Sequence, residues 1–162
     1  MDFTTLDHSS SIEKRNEFLT NFTDTSAYDF QKKLRLYPCY DGKRCNGYIW
    51  EFLKPCTLIH SKEAILLISR LNTIYVMQDM TKLRDEHRFK TIFNRNVIAK
   101  TVGNDLANYL SRKENMPPLF SLYIFDDSLK WHITITSECD EQMFHGDKHI
   151  TYDCLCMTTL QL

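Results

Sequence analysis

"LYIFDDSLKWHITITSE", Leu122 to Glu138, is the stretch whose residue pattern says most about the fold. Its flanks, "LFSLYIF" and "WHITIT", are rich in the aromatic and β-branched residues that fit a pleated surface. "DDSLK" between them supplies aspartate and serine, whose short side chains satisfy backbone donors in turns. The pattern predicts a β-hairpin over residues 120–136. Along its second strand Trp131, Ile133 and Ile135 alternate with His132, Thr134 and Thr136, so the tryptophan is expected to anchor the core and the histidine to point away from it.

Upstream, "VGNDLANYLSRKEN" places Val102, Leu106, Tyr109 and Leu110 on one helical face, and "MPP" ends it because proline breaks the hydrogen-bond ladder. "SKEAILLISRLN" has a serine cap and aligns Ala64, Leu67, Ile68 and Leu71, and the short β-branched "TIYVMQD" follows as a strand. Near the start, Ser10 and Glu13 form a capping-box pattern ahead of Phe18, Leu19 and Phe22, with Ile12 on the same periodicity; "TSAYDFQKKLRL" repeats the logic with Ala27, Phe30 and Leu34. Helices are therefore expected at 10–22, 25–35, 61–72 and 101–113. "YPCYDGKRCNGYIWEFL" holds Asp-Gly and Asn-Gly pairs, which mark tight turns, before an aromatic run read as a strand or short helix. "HITYDCLCMTTL" adds an alternating segment in which Ile150, Tyr152, Cys154 and Cys156 oppose Thr151, Asp153 and Leu155. With no repeat or linker to divide residues 1–162, the expectation is a single α+β domain, an antiparallel sheet with helices packed on it, with Trp50 and Trp131 mostly buried.

The composition, 43% hydrophobic and 25% charged, belongs to globular rather than disordered chains. The first residues lack a basic segment followed by an apolar one, and the longest apolar run, "AILLI", is far short of the ~20 residues of a membrane span. A cytoplasmic protein with no membrane partner is expected, its six cysteines free thiols. A net charge of −1 removes any general pull toward nucleic acid, but the charge is unevenly spread. Residues 124–153 hold Asp126, Asp127, Glu138, Asp140, Glu141, Asp147 and Asp153 against Lys130 and Lys148, a balance of −5 that leaves +4 elsewhere.

Catalytic chemistry finds little support. The adjacent Asp126 and Asp127 would have to converge to act as an acid–base or metal dyad, whereas neighbours at a turn diverge toward water. No Gly-rich phosphate loop occurs. His145, His149, Cys154 and Cys156 could be assembled into a zinc enzyme site, but Cys-x-Cys is not the spacing of a zinc knuckle and Gly146 weakens a helix that would align the histidines. Neither His-x-Glu nor Cys-x-x-Cys occurs, which excludes a zinc deaminase. No cysteine has the neighbourhood of a nucleophile. The segment 82–100 interleaves Lys82, Arg84, Arg88, Lys90, Arg95 and Lys100 with Phe89 and Phe93, a pattern that grips single-stranded nucleic acid in other settings. A solvated face whose phenylalanines enter the core accounts for it better in a chain of this net charge.

The succession "GYIWEFL", "SKEAILLISRL", "IYVMQD" and "LYIFDDSLKWHITIT", over residues 47–138, resembles small cytosolic bacterial immunity proteins of interbacterial toxin systems, including contact-dependent inhibition. "IFDDSLKW" carries most of the likeness. The resemblance implies a non-enzymatic binding protein without cofactor or metal, whose partner is a cognate toxin, for instance a nuclease domain with a basic cleft. Such proteins share no catalytic motif, so no catalytic residue is carried over. An acidic surface suits that partner, and Asp126, Asp127, Glu138, Asp140 and Glu141 are the expected toxin-binding charges.

Overall fold

The computed structural model describes residues 3–27, 29–30, 49–55, 57–78, 97–112, 122–135 and 153–157. Its elements are, in order, β1 (Thr4–Thr5), α1 (His8–Phe22), a 3₁₀ turn (Ile49–Phe52), β2 (Thr57–His60), α2 (Ser61–Ser69), β3 (Thr73–Gln78), β4 (Ala99–Val102), α3 (Gly103–Leu110), β5 (Leu122–Phe125), β6 (His132–Ile135) and β7 (Asp153–Met157). The strands form one antiparallel sheet in the order β1-β4-β3-β5-β6-β7-β2. The α+β class is the expected one, and the hairpin lies where the residue pattern placed it, with Ile124 opposite Ile133 and Phe125 opposite His132.

Strand alternation divides the interior in two. On one face Ile74 and Val76 of β3, Leu122 and Ile124 of β5, and Ile133 and Ile135 of β6 pack with Trp131 against Ala64 and Ile68 of α2 and Leu106, Ala107 and Leu110 of α3. On the other, Tyr75, Met77, Tyr123 and Phe125 meet Phe18, Leu19 and Phe22 of α1, together with Phe30, Ile49 and Phe52. Each fully buried aromatic or large aliphatic side chain contributes roughly 1.5–3 kcal/mol relative to exposure. The sheet is thus covered on both faces, which is why β5 and β6 are buried at every position. His132 departs from the solvent-facing position its alternation implied. It does point away from Trp131, but into the second layer, where it is fully buried.

Helix boundaries differ from expectation for identifiable reasons. Asp7, not Ser10, caps α1, its carboxylate accepting the Ser10 N–H at 2.7 Å. Ile12 is only partly buried, while Ser11 and Arg15 join Phe18, Leu19 and Phe22 on the buried face. At its other end α1 is tied to the 3₁₀ turn, Asp24 N–H donating to Phe52 C=O and Lys54 N–H to Phe22 C=O. Ala27 and Phe30 do pack on the α1 layer, but residues 25–27 form a turn, Ala27 N–H donating to Asp24 C=O at 3.2 Å, where the second helix was expected to begin; residues 31–35 lie outside the described residues. α2 ends at Ser69.

The helix expected from residue 101 starts at Gly103, because Ala99–Val102 pair with β3 as an edge-proximal strand. Val102 is consequently not on the helix's buried face and stays 46% exposed. Gly103 is required here. Its N–H donates to the carbonyls of Leu71 and Asn72, and an added Cβ would sit 2.0 Å from the Ile68 carbonyl oxygen and 2.6 Å from that of Leu71. Trp131 is buried and Trp50 partly so. In β7 both neighbouring strands step over Cys156, a bulge that interrupts the expected alternation of that segment.

Candidate protein-binding site

The turn between β5 and β6 is built by Asp126. Its Oδ1 accepts from the Ser128 N–H at 2.9 Å and from the Ser128 hydroxyl, and its backbone carbonyl accepts the Leu129 N–H at 3.3 Å. The Ser128 oxygen in turn accepts the Lys130 N–H. The other carboxylate oxygen of Asp126, Oδ2, accepts the Trp131 indole N–H at 3.0 Å. Asp126 therefore locks the loop and also satisfies the one polar atom of the tryptophan ring that closes the α2/α3 layer. Leu129, at φ 51°, takes the left-handed conformation that lets the chain re-enter β6, its side chain packed beside the α1 layer.

Asp127 turns the opposite way. Its Oδ1 accepts from Lys14 Nζ at 2.7 Å and its Oδ2 from the Tyr75 hydroxyl at 3.2 Å. Lys14 also reaches Glu17 at 3.1 Å and lies over the Tyr75 ring, 5.0 Å from its centroid; Lys100 approaches the same ring at 6.0 Å. The hydrogen bond from Lys14 holds the Asp127 carboxyl below its usual range, with Tyr75 adding to the effect. Burial, and then the Asp127 contact, push the Tyr75 hydroxyl up. For Lys14, partial burial opposes the charge but the Asp127 and Glu17 hydrogen bonds outweigh it and raise its pKa. The two aspartates engage different partners and no hydrogen bond joins them. The tip presents Asp127 as a fixed carboxylate whose side chain is still 69% exposed.

Of the charges expected to bind a partner, Asp126 is committed to the turn and Asp127 is presented at its tip; Glu138, Asp140 and Glu141 lie outside the described residues. Lys14 and Tyr75, which set the tip's geometry, were not legible as site residues. They are 113 and 52 positions from Asp127, and no local pattern links such distant residues. The alternative sites fall largely outside the described residues. Lys82, Arg84, Arg88, Lys90 and Arg95 do so, as do His145 and His149; Lys100 is on β4, and Cys154 and Cys156 on β7. Among the described residues no three His, Cys, Asp or Glu side chains gather as a metal site, and no helix is long and apolar enough to cross a membrane.

No family model, curated protein or solved structure matches the chain. The geometry of the turn therefore carries the functional reading.

Proposed function

We propose that this chain is a cytoplasmic immunity protein, a non-enzymatic binder that neutralises a cognate bacterial toxin by protein–protein contact. The observation that carries the reading is the hairpin tip, where Asp126 locks the turn and Lys14 and Tyr75 hold Asp127 ionised and exposed at the head of an acidic tract. A pre-ordered charge loses little side-chain freedom on binding, and an acidic surface steers a basic partner toward it. Both sheet faces are covered by helices, so a partner meets turns, sheet edges and outer helix faces, among them the β5–β6 turn. Glu138, Asp140 and Glu141 follow within fifteen residues of Asp126 in the sequence.

The test is a binding measurement against the product of a toxin gene lying immediately upstream. Reversing Asp127, Glu138, Asp140 and Glu141 to lysine is expected to slow association by roughly tenfold or more at low ionic strength, with a smaller effect in physiological salt, where charges are screened beyond ~8 Å. Asp126 is left intact, because altering it would undo the turn and confound the result. Neutralising Lys82, Arg84, Arg88 and Lys90 is expected to leave toxin binding unchanged. No upstream toxin gene, together with RNA or DNA retained by the purified protein and lost on neutralising those four residues, would overturn the proposal.

A further inference from the structure

His132 is fully buried in the middle of the layer between α1 and the sheet. Phe22 and Phe18, both from α1, pack on its ring at centroid distances of 4.7 and 5.4 Å. Nδ1 is 3.0 Å from the Thr134 hydroxyl, while Nε2 is buried without a hydrogen-bond partner among the described residues. A ring so placed is stable only as the neutral imidazole, since a buried cation without a counter-charge is costly to hold. Phe18 also packs on Tyr123 and Phe125, so the residue that seats α1 on β5 is the one in contact with His132.

We propose that His132 is a proton-operated latch for α1: its protonation expels the ring from between Phe18 and Phe22 and lifts α1 from the sheet while the α2/α3 layer stays packed. Burial alone drives the preference for the neutral ring. Arg15 is buried on the same face of α1 as Phe18 and Phe22, three and seven positions before them. Tyr75 and Tyr123, on the same sheet face, are uncharged in acid. Glu17 and Lys14 lie at the helix edge, Lys14 committed to Asp127. Glu51, on the 3₁₀ turn, is exposed, and Lys130 and Asp126 are at the hairpin turn, Asp126 bonded to Ser128 and Trp131. No described carboxylate hydrogen-bonds the imidazole to offset its charge.

Burial lowers the His132 pKa from 6.5 to about 4. The released ring binds its proton at the ordinary value, so the packed state is fully favoured above pH 6.5 and loses that advantage as pH falls toward about 4. The Lys14–Asp127 tie does not set this window, because the Asp127 carboxyl titrates below its usual 3.8.

The decisive experiment is amide hydrogen exchange mapped along the chain at neutral pH and near pH 4, corrected for intrinsic rates, with an NMR titration of the His132 ring. Amides of α1 are expected to lose on the order of 100-fold protection relative to those of α2 and α3, as a pKa displacement of this size implies. His132→Phe, which keeps an aromatic ring but cannot ionise, is expected to abolish that selective loss. Equal loss across all three helices, a selective loss that survives in His132→Phe, or a ring that titrates near 6.5 in the folded protein would each overturn the latch. Should the variant fail to fold, the wild-type exchange map and ring titration decide alone.

Discussion

On one side of the sheet α2 and α3 bury Ala64, Ile68, Leu106 and Leu110 against Ile, Val, Leu and Trp side chains; on the other α1 buries Ser11 and Arg15 beside Phe18 and Phe22, over Tyr75, Tyr123 and His132. The first layer is stabilised by shape and apolar area, which no change of pH or salt within the native range removes. The second mixes aromatic contact with buried and partly buried hydrogen bonds. Ser11 Oγ accepts the Ile98 N–H at 3.0 Å, and the Tyr123 hydroxyl accepts the Trp50 N–H at 2.9 Å. One sheet therefore carries a layer governed by volume and a layer governed by polar pairing, and substitutions should sort accordingly.

The largest effect is expected at the seam of the volume-governed layer. Trp131→Ala should cost about 3–5 kcal/mol in denaturant unfolding, because it leaves a cavity and strands the Asp126 oxygen that its indole satisfied. A cost below about 1 kcal/mol would break the contrast. Gly103→Ala comes next, at about 3 kcal/mol, since its Cβ must displace backbone carbonyls rather than flexible side chains. Thermal unfolding checks it, and an unchanged midpoint would show that α2 and α3 can move apart freely.

On the polar side, Ser11→Ala should cost about 1–2 kcal/mol by leaving the buried Ile98 N–H unpaired, with faster exchange of that amide as the accompanying sign. The smallest effect belongs to Asp127→Asn, below about 1 kcal/mol because the Asp127 side chain is mostly exposed and its charge is screened by salt. The sign of its pH dependence is fixed. The Asp127 carboxyl lies below its usual pKa when folded, so its contribution is present above 3.8 and is lost as pH falls through the lower folded value. In Asp127→Asn that part of the acid profile should flatten, leaving the His132 window in place.

Local chemistry makes the hairpin, α2, β3 and the core of α1 legible in the amino-acid sequence. A turn rich in aspartate and serine, a 3.6-residue apolar period and a β-branched run each reflect forces acting within a few residues. The shared face of Trp131, Ile133 and Ile135 is legible for the same reason, because alternation along a strand is geometric. β4 is not, since Ala99 to Val102 runs without a break into a helical pattern and is held as a strand by pairing with β1 and β3, which lie far away in the chain.

What the tertiary structure alone decided is what lies opposite each face. A polar residue alternating with apolar ones reads as solvent-facing until a second layer covers it, and His132 became a core residue because α1, more than a hundred positions earlier, crosses the sheet at that point. The same holds for the tip. The sequence determined that Asp126 and Asp127 occupy a turn, through their own backbone preferences. Only folding brought Lys14 and Tyr75 to Asp127, and the Trp131 indole round to Asp126, since long-range pairing depends on topology and leaves no periodic trace along the chain.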